Sequence, residues 1–269
     1  MDPVEIEQLQ NYCFEKIRPD IIKAIFNTGR SGHPAGSFGI VEILVVLYKK
    51  ILKVDASNMS NPQRDIFILG AGHNVPALYS VLGRNGFFDV EDFIAGYRSS
   101  SIFSGHPRSN VPGIEFNTGS LGNALSSAVE WADLLQNERR DDDTTPAVYF
   151  LDGNGGFQEG VTQEALINAA DRNLTNLIYI LSDNQFGLDD SKQHQYRELL
   201  ESLGFYVVGK QILREGHVSR IDEYCDTAHD LFLENRSDYK IDGNDIESVW
   251  KTFAHVKALM DYKINKGPI

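Results

Sequence analysis

Two short apolar runs near the middle of the chain predict neighbouring parallel strands. The runs occupy residues 147–150 and 177–181, and both are rich in side chains that favour buried strands. Residues 159–173, which lie between them, predict a helix. A strand, a helix and a second strand in this order form a right-handed crossover. The carboxyl ends of both strands are therefore expected at one edge of the sheet.

The same patterning predicts the other elements of an α/β fold. Helices are expected at 3–28, from the end of a 29–39 loop through residue 52, at 75–83 and at 123–140, and strands at 65–69 and 204–208. Residues 96–120 are rich in Ser, Gly, Asn and Pro and predict an irregular segment. Such a length of irregular chain inside a domain is usually functional or disordered, and the embedded His106 and Gly119 favour function.

Polar groups follow the two central strands. Asp152 and Gly153 come after the first run, and Asn184 and Phe186 come after the second. The two polar side chains and the backbone carbonyl of Phe186 offer the oxygen ligands that Mg2+ prefers. The amide of Gly153 could donate to a phosphate oxygen. This pattern fits a diphosphate held through magnesium, while a pair of ordinary strand-end turns stays open, because Asp-Gly and Asp-Asn are common turn pairs.

Composition and charge narrow the class of protein. The chain has 269 residues, 42% hydrophobic and 23% charged, which is long enough for one large domain with a sizeable core. The longest apolar stretch, residues 40–48, contains Glu42 and is too short to cross a bilayer. The amino terminus lacks a basic, apolar signal region, so a cytoplasmic protein is expected. A net charge of −13 speaks against a nucleic-acid partner.

Three histidines stand in ordered, glycine-containing motifs. The motifs are Ser31-Gly32-His33-Pro34, Gly70-Ala71-Gly72-His73 and Ser104-Gly105-His106-Pro107, followed by the glycine loop Thr118-Gly119-Ser120-Leu121-Gly122 and the segment from Asp152 to Asn184. In this order they resemble the amino-terminal, diphosphate-binding part of the transketolase family over nearly the whole chain. Three histidines in ordered motifs are hard to ascribe to chance.

This resemblance implies a thiamine diphosphate-binding fold, with a mostly parallel sheet and helices on both faces. The chain is expected to form a single diphosphate-binding domain over residues 1–269, with an insertion at about 209–238. The resemblance covers none of the family's pyrimidine-binding and carboxyl-terminal domains, which are therefore expected to be absent from this chain. A second polypeptide is therefore expected to supply them, most simply in an α2β2 assembly.

The resemblance also implies a role for each motif. Magnesium is assigned to Asp152, Asn184 and the Phe186 carbonyl, the diphosphate to His73 and Gly153, and the aminopyrimidine ring to Gly119, Ser120 and Leu121. His33 and His106 are expected to act on the substrate hydroxyls, since histidine can donate or accept a proton near neutral pH. Glu159 is expected near a subunit contact. The implied activity is ketol or acyl transfer between sugar or sugar-phosphate substrates, with thiamine diphosphate and Mg2+.

Several positions depart from the family pattern. Leu151 replaces the first glycine of the usual Gly-Asp-Gly, and two extra residues lie between Asp152 and Glu159. Asn123 stands where the family commonly has glutamine, and Asn244 replaces a histidine, which removes a proton shuttle. Two alternatives therefore stay open: the α subunit of a thiamine-dependent 2-oxo acid dehydrogenase, and a non-catalytic scaffold subunit of the same fold.

Overall fold

A parallel sheet of three strands forms the centre of the described structure. The computed structural model describes residues 3–27, 32–138, 145–182 and 193–205. The strands are β1 (Ile66–Leu69), β2 (Val148–Gly153) and β3 (Leu177–Ser182), in the spatial order β1-β2-β3. All three predicted strands within these ranges are confirmed. Residues 206–208 of the fourth predicted strand lie outside the described residues.

Strand β2 is longer than the apolar run that predicted it. Its pairing with β3 continues through Leu151, Asp152 and Gly153, which lie opposite Ile180, Leu181 and Ser182. The first residue beyond the strand is thus Asn154. Backbone pairing with β3 satisfies the peptide groups of this polar end, so the strand continues after its apolar side chains stop.

Helices cover both faces of the sheet, as predicted. They are α1 (Pro3–Tyr12), α2 (Arg18–Asn27), α3 (Pro34–Gly39), α4 (Val41–Val46), α5 (Val75–Arg84), α6 (Val90–Gly96), α7 (Asn123–Asn137), α8 (Asn154–Phe157), α9 (Gly160–Asp171) and α10 (Gln193–Ser202). One apolar core contains Leu151 with residues of α2, α4, α5 and α6, and the other contains Phe150 with residues of α7 and α9. Successive β2 side chains thus enter opposite cores, as a pleated strand requires.

Two predicted helices contain a π-helical stretch. The segment Cys13–Ile17 joins α1 to α2, and Leu47–Ile51 continues α4. A π turn bonds residues five apart and widens the helix locally. A π turn contains one residue more than an α-helical turn, and the spacing of apolar residues that predicted continuous helices does not reveal it.

A buried ion pair fixes α2 to α5. The Asp20 carboxylate, 1% exposed, accepts from Arg84 Nη2 at 2.7 Å and from Arg84 Nε at 2.8 Å. The Ser80 hydroxyl donates to the same carboxylate at 2.8 Å. This network therefore holds α2 and α5 together.

Some predictions fall on residues that the structure does not describe. Asn184, Phe186, Asn244 and the 209–238 insertion all lie outside the described ranges. Within those ranges, every helix falls short of the length and apolar character that a membrane span needs.

Candidate functional site

The three histidine motifs converge beside the carboxyl end of β1. His73 lies in a short 3-10 turn, Gly72–Asn74, that follows this strand, and His33 immediately precedes α3. The rings of His33 and His73 meet edge to face, with their centroids 5.1 Å apart. His106 lies in the irregular segment, where its ring packs on Gly119: a Cβ there would lie 3.2 Å from His106 Cδ2. The structure thus brings His33, His73 and His106 together.

The main chain at His106 is held by two hydroxyl groups. The Ser104 hydroxyl donates to the His106 carbonyl at 2.6 Å, and the hydroxyl of the buried Tyr79 donates to the same oxygen at 3.2 Å. Tyr79 belongs to α5, in the apolar core. A rigid helix therefore fixes the position of a histidine that stands in an otherwise irregular loop.

The surroundings favour the neutral form of all three imidazoles. Burial is the main cause that lowers the pKa of His73, and His33 and His106 lower it further. Burial and then the Arg98 guanidinium lower the pKa of His106 and also that of the more exposed His33. A neutral imidazole can donate at one nitrogen and accept at the other. The cluster is thus suited to handling protons on hydroxyl groups near neutral pH.

Arg98 is a member of this site that the sequence did not single out. Its backbone has a positive φ of 55°. Its Nε donates to the Tyr97 hydroxyl at 3.2 Å, and a Cβ on Gly105 would lie 2.5 Å from the guanidinium carbon. A residue larger than glycine at position 105 would therefore displace this cation. Arg98 is one of two arginines in the irregular segment 96–120, and the sequence pattern does not distinguish it from Arg108.

The glycine loop lies directly against the second histidine motif. A Cβ on Gly72 would lie 2.9 Å from the Gly119 amide nitrogen and 2.8 Å from the Thr118 hydroxyl. That hydroxyl oxygen is buried and has no hydrogen-bond partner among the described residues. Leu121 approaches the turn after β2, since a Cβ on Gly155 would lie 3.2 Å from Leu121 Cδ1. Ser120 is exposed. The loop therefore bridges the ends of β1 and β2, where the sequence predicts a cofactor ring.

Asp152 lies within β2 and its carboxylate is already engaged. The side chain is 1% exposed. Its Oδ1 accepts from the Gly153 amide at 2.9 Å, and its Oδ2 accepts from the Tyr179 hydroxyl at 3.1 Å. Burial raises the Asp152 pKa to about 6, against these two hydrogen bonds, which lower it. The amide of Gly153, for which a phosphate oxygen is the predicted partner, donates to this carboxylate in the described structure.

Tyr179 is a second residue that the sequence did not single out. It lies on β3 opposite Phe150, and the two rings stack with centroids 5.9 Å apart. Asp152 is two residues further along β2, on the same face, so the tyrosine reaches it as a diagonal neighbour. A hydroxyl in an apolar run is the signal that predicts a buried polar partner.

The described residues contain no cluster of three or more His, Cys, Asp or Glu side chains placed to hold a metal ion. Glu159 is exposed immediately before α9, and a Cβ on Gly122 would lie 2.7 Å from the Glu159 Cβ. The first turn of α9 is therefore packed against the glycine loop. The histidines, the glycine loop and the ends of β1 and β2 therefore lie together at one end of the sheet.

Comparison with known proteins agrees with this architecture. A family profile described as "Transketolase, thiamine diphosphate binding domain" matches residues 10–228. The chain is 36% identical to one subunit of the apulose-4-phosphate transketolase of Actinobacillus succinogenes over 174 residues, which cover 64% of this chain and 61% of that protein. It is 34% identical to a 6-deoxy-6-sulfo-D-fructose transketolase subunit of a Clostridium species over 163 residues, covering 60% and 58%. The chain thus spans about three fifths of each relative.

The fold is also that of solved transketolases. The structure of transketolase from Leishmania mexicana superposes with a TM-score of 0.66 and 30% sequence identity. The superposition covers 76% of this chain and 31% of the longer protein. The predicted α/β fold, with its parallel sheet and two helical layers, is thus confirmed.

Proposed function

This chain belongs to the transketolase family through its thiamine diphosphate binding domain, and we propose that it is one subunit of a two-component enzyme that transfers a ketol or acyl unit between sugar-like substrates. The observation that carries the proposal is the convergence of His33, His73 and His106 around the glycine loop. These side chains come from three motifs that are far apart in the sequence. A purely structural subunit would not require them to lie close together.

A second polypeptide completes the proposed enzyme. The relatives that match this chain include proteins named as subunits of transketolases. The partner would carry the pyrimidine-binding and carboxyl-terminal domains. An α2β2 assembly in the cytoplasm is the simplest arrangement, because family members hold the cofactor at a subunit boundary.

The histidines carry the proton chemistry in this proposal. Thiamine diphosphate, when bound, supplies the carbanion-stabilising group. His33 and His106 face the substrate and exchange protons with its hydroxyls, for which a pKa lowered by burial keeps each ring available as a base at neutral pH. Arg98, which lowers both pKa values, helps to hold the rings in the neutral form.

The remaining site residues hold the cofactor. His73 lies at the β1 end and would donate to the diphosphate, while Gly119, Ser120 and Leu121 would line the aminopyrimidine ring. The close approach of Gly72 to Gly119 leaves no side chain between these two parts of the site. Asn184 and the Phe186 carbonyl, in the chain after β3, are the proposed oxygen donors to Mg2+, which would help to hold the diphosphate.

Sugars or sugar phosphates are the proposed substrates. The named relatives act, by their names, on apulose 4-phosphate and on a sulfonated deoxyfructose. Both molecules are sugars with an anionic end. For this chain the same class of substrate agrees with a histidine cluster that addresses hydroxyls and with a cation, Arg98, beside it.

The proposal is tested by reconstitution. The chain is co-expressed with the product of a neighbouring reading frame, co-purified, and assayed for ketol transfer with thiamine diphosphate and Mg2+. Transfer by the complex, lost on His106→Ala with cofactor binding retained, is expected. Release of carbon dioxide from a 2-oxo acid without ketol transfer would instead identify a dehydrogenase α subunit, and a complex that binds no cofactor would identify a scaffold.

A further inference from the structure

We propose that Asn154, and not Asp152, is the β2 residue that meets the metal and diphosphate, so that this chain offers the ion a neutral amide oxygen in place of a carboxylate. This inference rests on the proposed function and concerns the ligand set of the same cofactor site. It rests on where each side chain lies, on the end of the strand, and on the spacing to the next helix.

The position of Asp152 does not suit a ligand at the sheet edge. It shares a face of β2 with Phe150, which packs in the core formed with α7 and α9. A Cβ on Gly156 would overlap the Asp152 carboxylate, and one on Gly70 would lie 3.0 Å from its Oδ1. The carboxylate is therefore enclosed by backbone on two sides. With one hydrogen bond to each oxygen, from Gly153 and Tyr179, it fills a structural role.

Asn154 occupies the place that a ligand needs. It is the first residue after β2, it is 4% exposed, and the residue after it lies against Leu121 of the glycine loop. The preceding residue, Gly153, faces the chain after β1: a Cβ on it would lie 3.9 Å from Ala71 Cβ and 3.9 Å from the Ser182 carbonyl oxygen. Asn154 thus stands where the ends of all three strands and the glycine loop approach one another.

The spacing along the chain supports the same assignment. Aligned on Asp152, the motif has leucine in place of its first glycine and two extra residues before Glu159. Aligned on Asn154, Gly153-Asn154-Gly155 restores both glycines, and both extra residues disappear. A single change, asparagine for aspartate, then replaces two separate departures. Glu159, which precedes α9 in the structure, keeps the position expected of it.

The exchange has a chemical consequence. An amide oxygen can coordinate Mg2+, but it brings no negative charge to the ion. The electrostatic attraction for the metal is therefore weaker than it would be with an aspartate at this buried position. Binding of thiamine diphosphate should therefore need a higher Mg2+ concentration than it would with a carboxylate ligand at this position.

The test compares two isosteric exchanges in the co-purified complex. Asn154→Asp and Asp152→Asn are titrated calorimetrically with thiamine diphosphate at a series of Mg2+ concentrations. Asn154→Asp is expected to lower the Mg2+ concentration for half-maximal binding by about tenfold, the range over which ligand-shell changes act. Asp152→Asn is expected to change it by less than about twofold. Circular dichroism and thermal unfolding establish that both variants are folded.

The outcomes separate the two proposals. Loss of cofactor binding in a folded Asp152→Asn complex, with no gain in Asn154→Asp, would overturn the assignment and return the metal to Asp152. Binding that appears only in Asn154→Asp would support the assignment. Absence of binding in the wild type and in both variants would instead overturn the proposed function. Should Asp152→Asn fail to fold, Tyr179→Phe is titrated in its place, and unchanged magnesium dependence is the expected result.

Discussion

The hydroxyl of Tyr179 on β3 donates a 3.1 Å hydrogen bond to the Asp152 carboxylate on β2, so two neighbouring parallel strands share a buried polar contact near the end that carries the site. The Phe150 ring stacks on the same tyrosine. The contact explains how a carboxylate persists inside a core, because a buried charge needs hydrogen-bond partners.

Tyr179→Phe should destabilise the fold while leaving the cofactor site intact. The change removes one donor from a buried carboxylate, which costs about 1–3 kcal/mol of unfolding free energy. Urea denaturation followed by circular dichroism measures the loss. Tyr149→Phe, on the opposite face of β2, is the matched control and should cost less. Equal losses in the two variants would contradict a specific role for the Tyr179 hydroxyl.

Gly156→Ala should be among the most damaging glycine changes in the chain. Its Cβ would overlap the Asp152 carboxylate, which has no room to withdraw, and overpacking of this kind costs about 1–3 kcal/mol or more. Gly160→Ala is the control, because a Cβ there meets nothing within 4 Å. A helix start that tolerates alanine should be neutral or slightly stabilised. Thermal unfolding of both variants tests the contrast, and similar melting temperatures would refute it.

The two arginines near the histidine cluster should act differently on it. Arg98 lowers the pKa of both His33 and His106, whereas Arg108 lowers only that of His106. Arg98→Gln should therefore raise both pKa values and move the acid limb of the kcat/KM profile to higher pH. Arg108→Gln should raise only one. Imidazole NMR titration, assigned with single histidine variants, reads each pKa directly; an unmoved His33 in Arg98→Gln would exclude this electrostatic coupling.

His73 should make the fold sensitive to mild acid. Its pKa is lowered in the folded chain by burial first and by the neighbouring histidines second, so the unfolded state binds its proton more readily. The stability that neutral His73 contributes to the fold is fully present above the pKa of the unfolded state, near 6.5. It is lost as pH falls through the lower pKa of the folded state. His73→Gln should flatten the decline of unfolding free energy below pH 6.5, measured by urea titration. An equally steep decline in the variant would be the contrary result.

Asp20→Ala should be more destabilising than loss of a surface ion pair. It removes the partner of Ser80 and of Arg84, whose side chain is 30% exposed and can be solvated, so a cost of about 1–3 kcal/mol is expected. Glu130→Ala is the control, since Glu130 is 60% exposed and its contact with Arg172 should contribute at most about 1 kcal/mol. Chemical denaturation of the two variants gives the comparison. A difference smaller than the error of extrapolation would show that α2 and α5 are held by apolar packing alone.

The apolar pattern was sufficient for the elements of the fold. The predicted helices at 123–140 and 159–173 appear as α7 and α9. The run at 177–181 lies within β3, and the run at 147–150 lies within β2 except for its first residue. These elements are recognisable because each buries one continuous stripe or face. The helix predicted at 3–28 is interrupted, since a π-helical stretch alters hydrogen bonding without altering the apolar side chains that signal a helix.

The candidate site was predicted as far as its motifs reach. Only His73 follows the end of a strand, whereas His33 precedes α3 and His106 lies in the irregular segment, so their meeting is set by the tertiary fold. The sequence did not predict the roles of Arg98 and Tyr179. The contact of Arg98 with Gly105 depends on the loop conformation, and that of Tyr179 with Asp152 depends on the strand register. The end of β2 was not predicted either. An apolar run shows where side chains are buried, but backbone pairing determines which polar residue is the first one beyond the strand.

The contact between Gly72 and Gly119 joins two distant segments main chain to main chain. Because neither glycine has a side chain that can adjust, the two segments have little room to move relative to one another. In the proposed enzyme, a shift of the chain at His106 would therefore move the glycine loop that is proposed to line the aminopyrimidine ring. Changes in substrate preference should therefore arise from residues outside the contact between Gly72 and Gly119.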